Sequence, residues 1–132
     1  MKKNTDLGLL LLRITVAGLM LFHGVAKLGH LDGIQGMLSD IGVPQIVGYG
    51  VYVTELVAPI LMIIGFRTRL ASLVFFFGMV VALLMKHSGD IFALSRTGGL
   101  EIELILLYAL GALVLFFTGS GKYSISTKNS WD

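Results

Sequence analysis

Four ionisable residues stand inside strongly apolar sequence: Arg13, His23 and Lys27 in one run, and Glu55 in the next. On insertion scales a charged side chain at the centre of a membrane helix costs roughly 2.5–3.5 kcal/mol. Each of these groups therefore needs a partner, water or a function. The chemistry they offer is proton exchange and recognition of oxygen atoms. A carboxylate and an imidazole can take up and release protons, and cations can hold a ligand's carbonyl oxygens. At about 100° per residue, Arg13, His23 and Lys27 share one helix face, flanked by the small residues Ala17 and Gly24. That face must point into a bundle, because the rest of the segment is Leu, Ile, Val, Met and Phe.

Depth follows from a rise of about 1.5 Å per residue. If the inner ends of the two segments are level, Arg13 lies roughly 9 Å up, Glu55 roughly 15 Å and His23 roughly 24 Å. An Arg13–Glu55 ion pair is then the simplest expectation, either as a structural pair fixing helix register or as part of a site. Pro59 follows Glu55 by four residues, so it removes the N–H that would bond the Glu55 carbonyl. Further polar groups gather at the other end: Lys86 and His87 close a third apolar run, and Glu101 and Glu103 open a fourth. Tyr108 sits within that fourth run. The expected pocket is lined by Arg13, His23, Lys27, Glu55, His87 and Tyr108. Glu101 is either a cap on the helix dipole or a further member. Lys86, Glu103 and Lys27 also suit a boundary where long side chains reach for water.

The elements that position these groups are helices in a bilayer. Of 132 residues, 55% are hydrophobic and only 14% charged, against roughly 45–50% and about 25% in soluble domains. Mean hydropathy is +0.87. So small a chain could not hide that much apolar surface in a soluble core, and the composition excludes disorder. With no cysteine, disulfides, thiolate metal sites and dithiol chemistry are excluded. No basic run exceeds two residues, so the net charge of +2 points to no nucleic acid.

A bilayer core of about 30 Å takes roughly 20 apolar residues per helix. Four segments approach this, over about 7–28, 46–66, 70–86 and 101–119, followed by a polar tail over 120–132 that reads as largely flexible. Arg13 interrupts the first segment and no Ala-x-Ala site follows, so it reads as a retained span, not a signal peptide. Lys2, Lys3, Arg67, Arg69, Lys122 and Lys128 fall on one side; Lys27, Lys86 and Arg96 fall on the other. The excess places both termini in the cytoplasm. Between spans one and two, Ile34, Met37, Leu38 and Ile41 recur at helical spacing. Gly42 suits the position after a helix end, and Pro44 prevents continuation. The fold class is an all-α membrane protein: a four-transmembrane-helix bundle with a short outer interfacial helix.

Several chemistries lack their residues. No Walker or dinucleotide glycine motif occurs. A haem held by His23 and His87 would need both rings at one depth, and they differ by one or two turns, which disfavours it. A metal site from His23, His87 and Glu101 has no recognised spacing. What remains suits an amphipathic ligand with an apolar tail and one or two oxygens, as in a quinone, with a lipid headgroup or sterol using similar donors.

The order of these residues resembles the DoxX family. Leu11-Leu12-Arg13, then Phe22-His23-Gly24 and Lys27-Leu28, match its first span. Glu55 with Gly65-Phe66-Arg67-Thr68-Arg69-Leu70-Ala71 matches the second. His87 with Gly89 and Phe92 matches the end of the third and the loop after it, and Gly98-Gly99-Leu100-Glu101 matches the start of the fourth. The close is Thr118-Gly119-Ser120-Gly121-Lys122-Tyr123-Ser124, where Ser120 replaces a frequent proline. The resemblance implies a four-helix bundle in a bacterial inner membrane. Members of that family resemble small subunits of a thiosulfate:quinone oxidoreductase, or are linked to quinone and catechol detoxification and oxidative-stress complexes; distant relatives resemble receptor chaperones. A thiosulfate site has no cysteine to carry sulfur here.

The resulting expectation is a redox-associated membrane subunit that binds a quinone-like molecule, with no metal. Glu55 and His23 would move protons, while Arg13, Lys27, His87, Glu101 and Tyr108 would bind the ligand. Membrane lipids and a homodimer or larger membrane complex are the expected partners. Two other readings stand beside it: a non-enzymatic assembly factor or lipid-binding module, and a small proton-coupled transporter.

Overall fold

A computed structural model describes residues 2–132, and all regular structure there is helical. Helix α1 spans Thr5–Ala26 and opens on Asn4, whose side chain accepts from the Leu7 N–H at 3.1 Å. Such a cap satisfies one of the four N–H groups that a helix start leaves bare. Helix α2, Asp32–Asp40, ends on Gly42 at φ 79°. Gly42 N–H bonds the Ser39 carbonyl and Val43 N–H the Leu38 carbonyl, the paired bonds of a glycine-terminated helix.

Helix α3 runs over Gln45–Ile64. It starts as a tight 3-10 turn over Gln45–Tyr49 and widens into a π turn over Val53–Val57 before Ala58 and Pro59. The widening has a local cause. Pro59 cannot donate to the Glu55 carbonyl, and the Ala58 N–H reaches back to the Val53 carbonyl. Gly65 at φ 75° and Arg67 at φ 49° then turn the chain into α4, Thr68–His87. Helix α5 covers Glu103–Thr118.

Helices α4 and α5 pack together most extensively, and α1 lies against α3 and α5. Their shared core alternates small and large residues: Ala17, Ala58, Ala71 and Ala112 against Met20, Met62, Phe75, Met79 and Leu115. Small residues let helix backbones approach where no water drives association. The exterior is apolar as well, with Leu11, Phe22, Leu84, Leu107 and Phe117 all more than half exposed. A surface of that kind needs a lipid environment. Helices α1, α3 and α4 are long and apolar enough to cross a membrane, and α5 is apolar but shorter, at 16 residues.

The tail departs from the flexible segment expected of it. It folds across the ends of α3, α4 and α5. Ile125 and Ser126 N–H groups bond the Ile64 and Gly65 carbonyls, and the Trp131 carbonyl accepts from Arg69 and Leu70. The exposed ends of α3 and α4 thereby find partners within the chain. Asp132 is buried, and its carboxylate accepts from the Arg67 side chain and backbone, the Ser126 hydroxyl and the Asn129 N–H. The Ser126 hydrogen bond is the main cause holding this carboxyl well below the ordinary aspartate range; desolvation works against it, and the Asn129 and Arg67 donors reinforce it.

Candidate functional site

The ion pair in this bundle joins Lys27 to Glu55. The Lys27 ammonium donates to both Glu55 oxygens, at 2.6 and 2.7 Å. The Glu55 side chain is 7% exposed and that of Lys27 26%. Lys27 sits just past the last turn of α1, where the helix dipole favours a cation. Glu55 sits in the π turn of α3. Two glycines make room for that wide turn. A Cβ on Gly24 of α1 would run into the Glu55 backbone carbonyl, and one on Gly78 of α4 would stand 2.6 Å from the Thr54 Cβ. Tyr52 ties the same corner together: its hydroxyl donates to the Lys27 carbonyl at 3.3 Å and accepts from the Gly29 N–H at 3.2 Å.

This pair stands at the wall of a cavity of about 370 Å³. Ile34, Met37 and Leu38 of α2 form one side, Val51 and Thr54 of α3 the back, and Val74, Phe77 and Val81 of α4 the other side. Among the described residues, Lys27, Glu55 and Lys86 are the ionisable groups that line it. The volume falls in the range of small-molecule sites, which are mostly apolar with a few placed polar groups. Lysine has three N–H donors. Two are used on Glu55, which leaves one for a ligand oxygen.

The expected Arg13–Glu55 pair does not form. The Arg13 side chain is buried, and its guanidinium donates to backbone carbonyls at the opposite end of the bundle: Ser120 at 2.8 Å, Tyr123 at 2.6 Å and Ile63 at 3.4 Å. Those carbonyls lie at or beyond the C-terminal ends of α3 and α5, where a cation is favoured. Arg13 thus fixes the tail to the helices. Its Nε is buried without a partner.

The other expected site residues are dispersed. His23 is exposed and meets the buried Tyr108 ring edge-on, with centroids 6.1 Å apart. Tyr108 also packs on Phe75. His87 pairs with Asp90 at 3.2 Å near the end of α4. Glu101 is exposed in the loop before α5, and its N–H bonds the Ala93 carbonyl. Of the seven residues expected at the site, only Lys27 and Glu55 line the cavity. Among the described residues no cluster of three His, Asp or Glu side chains could hold a metal. Lys86, Gly78 and the α2 wall also line it and are not among the expected residues. The α2 periodicity and the Glu55-x3-Pro59 spacing were the signals available for the wall and the bulge.

Residues 8–88 match the family described as DoxX. An "Uncharacterized protein" of Haemophilus influenzae is 34% identical over 121 residues, covering 89% of this chain and 87% of its own. The "Putative oxidoreductase CatD" of Bacillus subtilis is 28% identical over 120 residues, covering 91% and 85%. No solved structure matches the chain. The family match takes in α1 to α4, and with them both members of the ion pair and every wall of the cavity, so the chain belongs to the DoxX family.

Proposed function

We propose that this is a redox-associated subunit of a bacterial inner-membrane complex that binds a quinone-like amphipathic molecule beside Lys27 and Glu55. The observation that carries the reading is an apolar cavity of about 370 Å³ with one part-buried ion pair in its wall. A ring with an apolar tail fills such a space, and a ring carbonyl oxygen accepts the remaining Lys27 N–H. Quinone reduction consumes protons as well as electrons, and a carboxylate at the ring's edge can pass them. The likeness to a relative named as an oxidoreductase supports a redox setting. In this reading the electrons come from a partner protein of the complex.

In this reading α5 is the fourth span, and α2 lies in the outer interface as the lid of the cavity. Both termini are cytoplasmic, in line with the excess of Lys and Arg at the tail end.

The test is binding of a short-chain ubiquinone and a menaquinone to the protein in mild detergent, wild type against Glu55→Gln. The substitution keeps the shape and removes the charge. Weakened binding of about tenfold in a variant that stays folded at the assay temperature supports the site. Equal isotherms for the two proteins refute it.

A further inference from the structure

The charges around the cavity do not balance. Lys27 and Glu55 cancel, with the ammonium on both carboxylate oxygens. Lys86 remains. It lies in the last turn of α4, is exposed, and is among the residues that line the cavity. Among the described residues no carboxylate lies within ion-pair distance of its ammonium, while the neighbouring His87 takes the nearby Asp90. The remaining lining is apolar apart from Thr54, whose hydroxyl donates to the Val51 carbonyl. One uncompensated positive charge thus stands at the exposed edge of a largely apolar cavity.

We propose that the cavity selects ligands whose head carries a negative charge, and that Lys86 is the residue that determines this preference. The chemical class is a ring amphiphile with an ionised oxygen, such as a hydroxyquinone or the monoanion of a quinol. The apolar body lies between α2 and α4, and the anionic oxygen faces Lys86. Lys86 is a binding and specificity residue here, separate from the proton-exchanging pair. A long aliphatic stem suits the place, since it can cover apolar wall while its ammonium reaches the head. This inference rests on the reading of the cavity as a site for quinone-like molecules.

The test uses two probes of nearly equal shape. One is a 3-alkyl-2-hydroxy-1,4-naphthoquinone, which is anionic at neutral pH. The other is its 2-methoxy ether, which is neutral. Affinities are measured by equilibrium dialysis with the whole protein in mild detergent, for wild type, Lys86→Gln and Lys86→Arg. Wild type is expected to bind the anion about tenfold more tightly than the ether. Lys86→Gln should abolish that preference, and Lys86→Arg should retain it. Equal binding of both probes by wild type, or a preference that survives in Lys86→Gln, overturns the proposal and leaves the site itself standing. Failure of wild type to bind either probe overturns both the proposal and the reading beneath it.

Discussion

Two ion pairs were conceivable for Glu55, and a double-mutant cycle separates them. Lys27 contacts both carboxylate oxygens, whereas Arg13 is committed to carbonyls at the far end of the bundle. Removing one partner of a fully buried pair costs about 3–5 kcal/mol, because a charge is left uncompensated. The pair is only partly buried, so Lys27→Met should fall just below that range, at about 2–3 kcal/mol. Lys27 is a quarter exposed and can turn its ammonium to water, so Glu55→Gln should cost only about 1–2 kcal/mol after screening. The double variant leaves neither charge stranded, and the coupling should reach about 1.5–2 kcal/mol. Arg13→Met should also destabilise, since it loses several charge-assisted hydrogen bonds worth about 1.5–3 kcal/mol each. Its effect should nevertheless add to that of Glu55→Gln within about 0.5 kcal/mol. The assay is reversible unfolding in mixed micelles of mild detergent and sodium dodecyl sulfate, followed by far-UV circular dichroism. Coupling above 1 kcal/mol between Arg13 and Glu55, with none between Lys27 and Glu55, would refute the geometry argued here.

Two further outcomes follow from close contacts. Gly24→Ala gains helix propensity of about 1 kcal/mol, but its methyl meets the Glu55 carbonyl, which is backbone and cannot swing aside. Overpacking of this kind costs about 1–3 kcal/mol, so the variant should be net destabilised and should bind quinone less well; an unfolding midpoint above wild type would count against the tight α1–α3 crossing. The second outcome concerns acid. The Asp132 carboxyl is held below its ordinary value of 3.8, first by the Ser126 hydroxyl. A depressed folded value means that this contribution to tail docking is complete above the ordinary value and is lost as pH falls through the folded one. Trp131 is the single tryptophan and lies in the tail, so its fluorescence should keep its docked emission down to about pH 4 and change only under stronger acid. Asp132→Asn should show the undocked emission at pH 7. A variant with wild-type emission there would show that the carboxylate does not hold the tail.

The helices were legible because the apolar runs are long and their punctuation is strong. Gly42 and Pro44 end α2 as their chemistry requires, and Arg67-Thr68-Arg69 joins α3 to α4 by a minimal turn. The importance of Glu55 was also legible, since a carboxylate amid apolar sequence needs a partner. Its partner was misassigned for an identifiable reason. The depth argument set the inner ends of α1 and α3 level, but in the structure Arg13 is level with Ile63 and Gly65, at the very end of α3. The first two turns of α1 run past that end and pack on the tail, where Asp6 accepts from the Lys122 N–H. Because α1 begins deeper, Glu55 meets the Gly24 and Lys27 end of it. The shift depends on a folded tail, and polar sequence rich in Ser, Gly and Lys gives no periodic signal for such a fold.

The same offset explains why the three α1 members of the expected pocket stand in three places. Arg13, His23 and Lys27 do share a broad face of α1, yet of the three only Arg13 is buried, together with Val16, Ala17, Met20 and Gly24. His23 stands at the edge of that face and is exposed, touching Tyr108 across the α1–α5 seam. Lys27 is beyond the last turn, where its chain can bend back to Glu55. Periodicity fixes direction around a helix but says nothing about which neighbour lies opposite. That depends on register, and register here is set by features that act between elements: Gly24 against the π turn, Gly78 against Thr54, and Arg13 on the tail. The bulge that relieves Pro59 therefore does two things at once. It places Glu55 where a lysine can reach it, and it holds that pair against the space between α2 and α4. Closing the bulge by restoring a donor at position 59 would be expected to move the carboxylate along with the wall it belongs to.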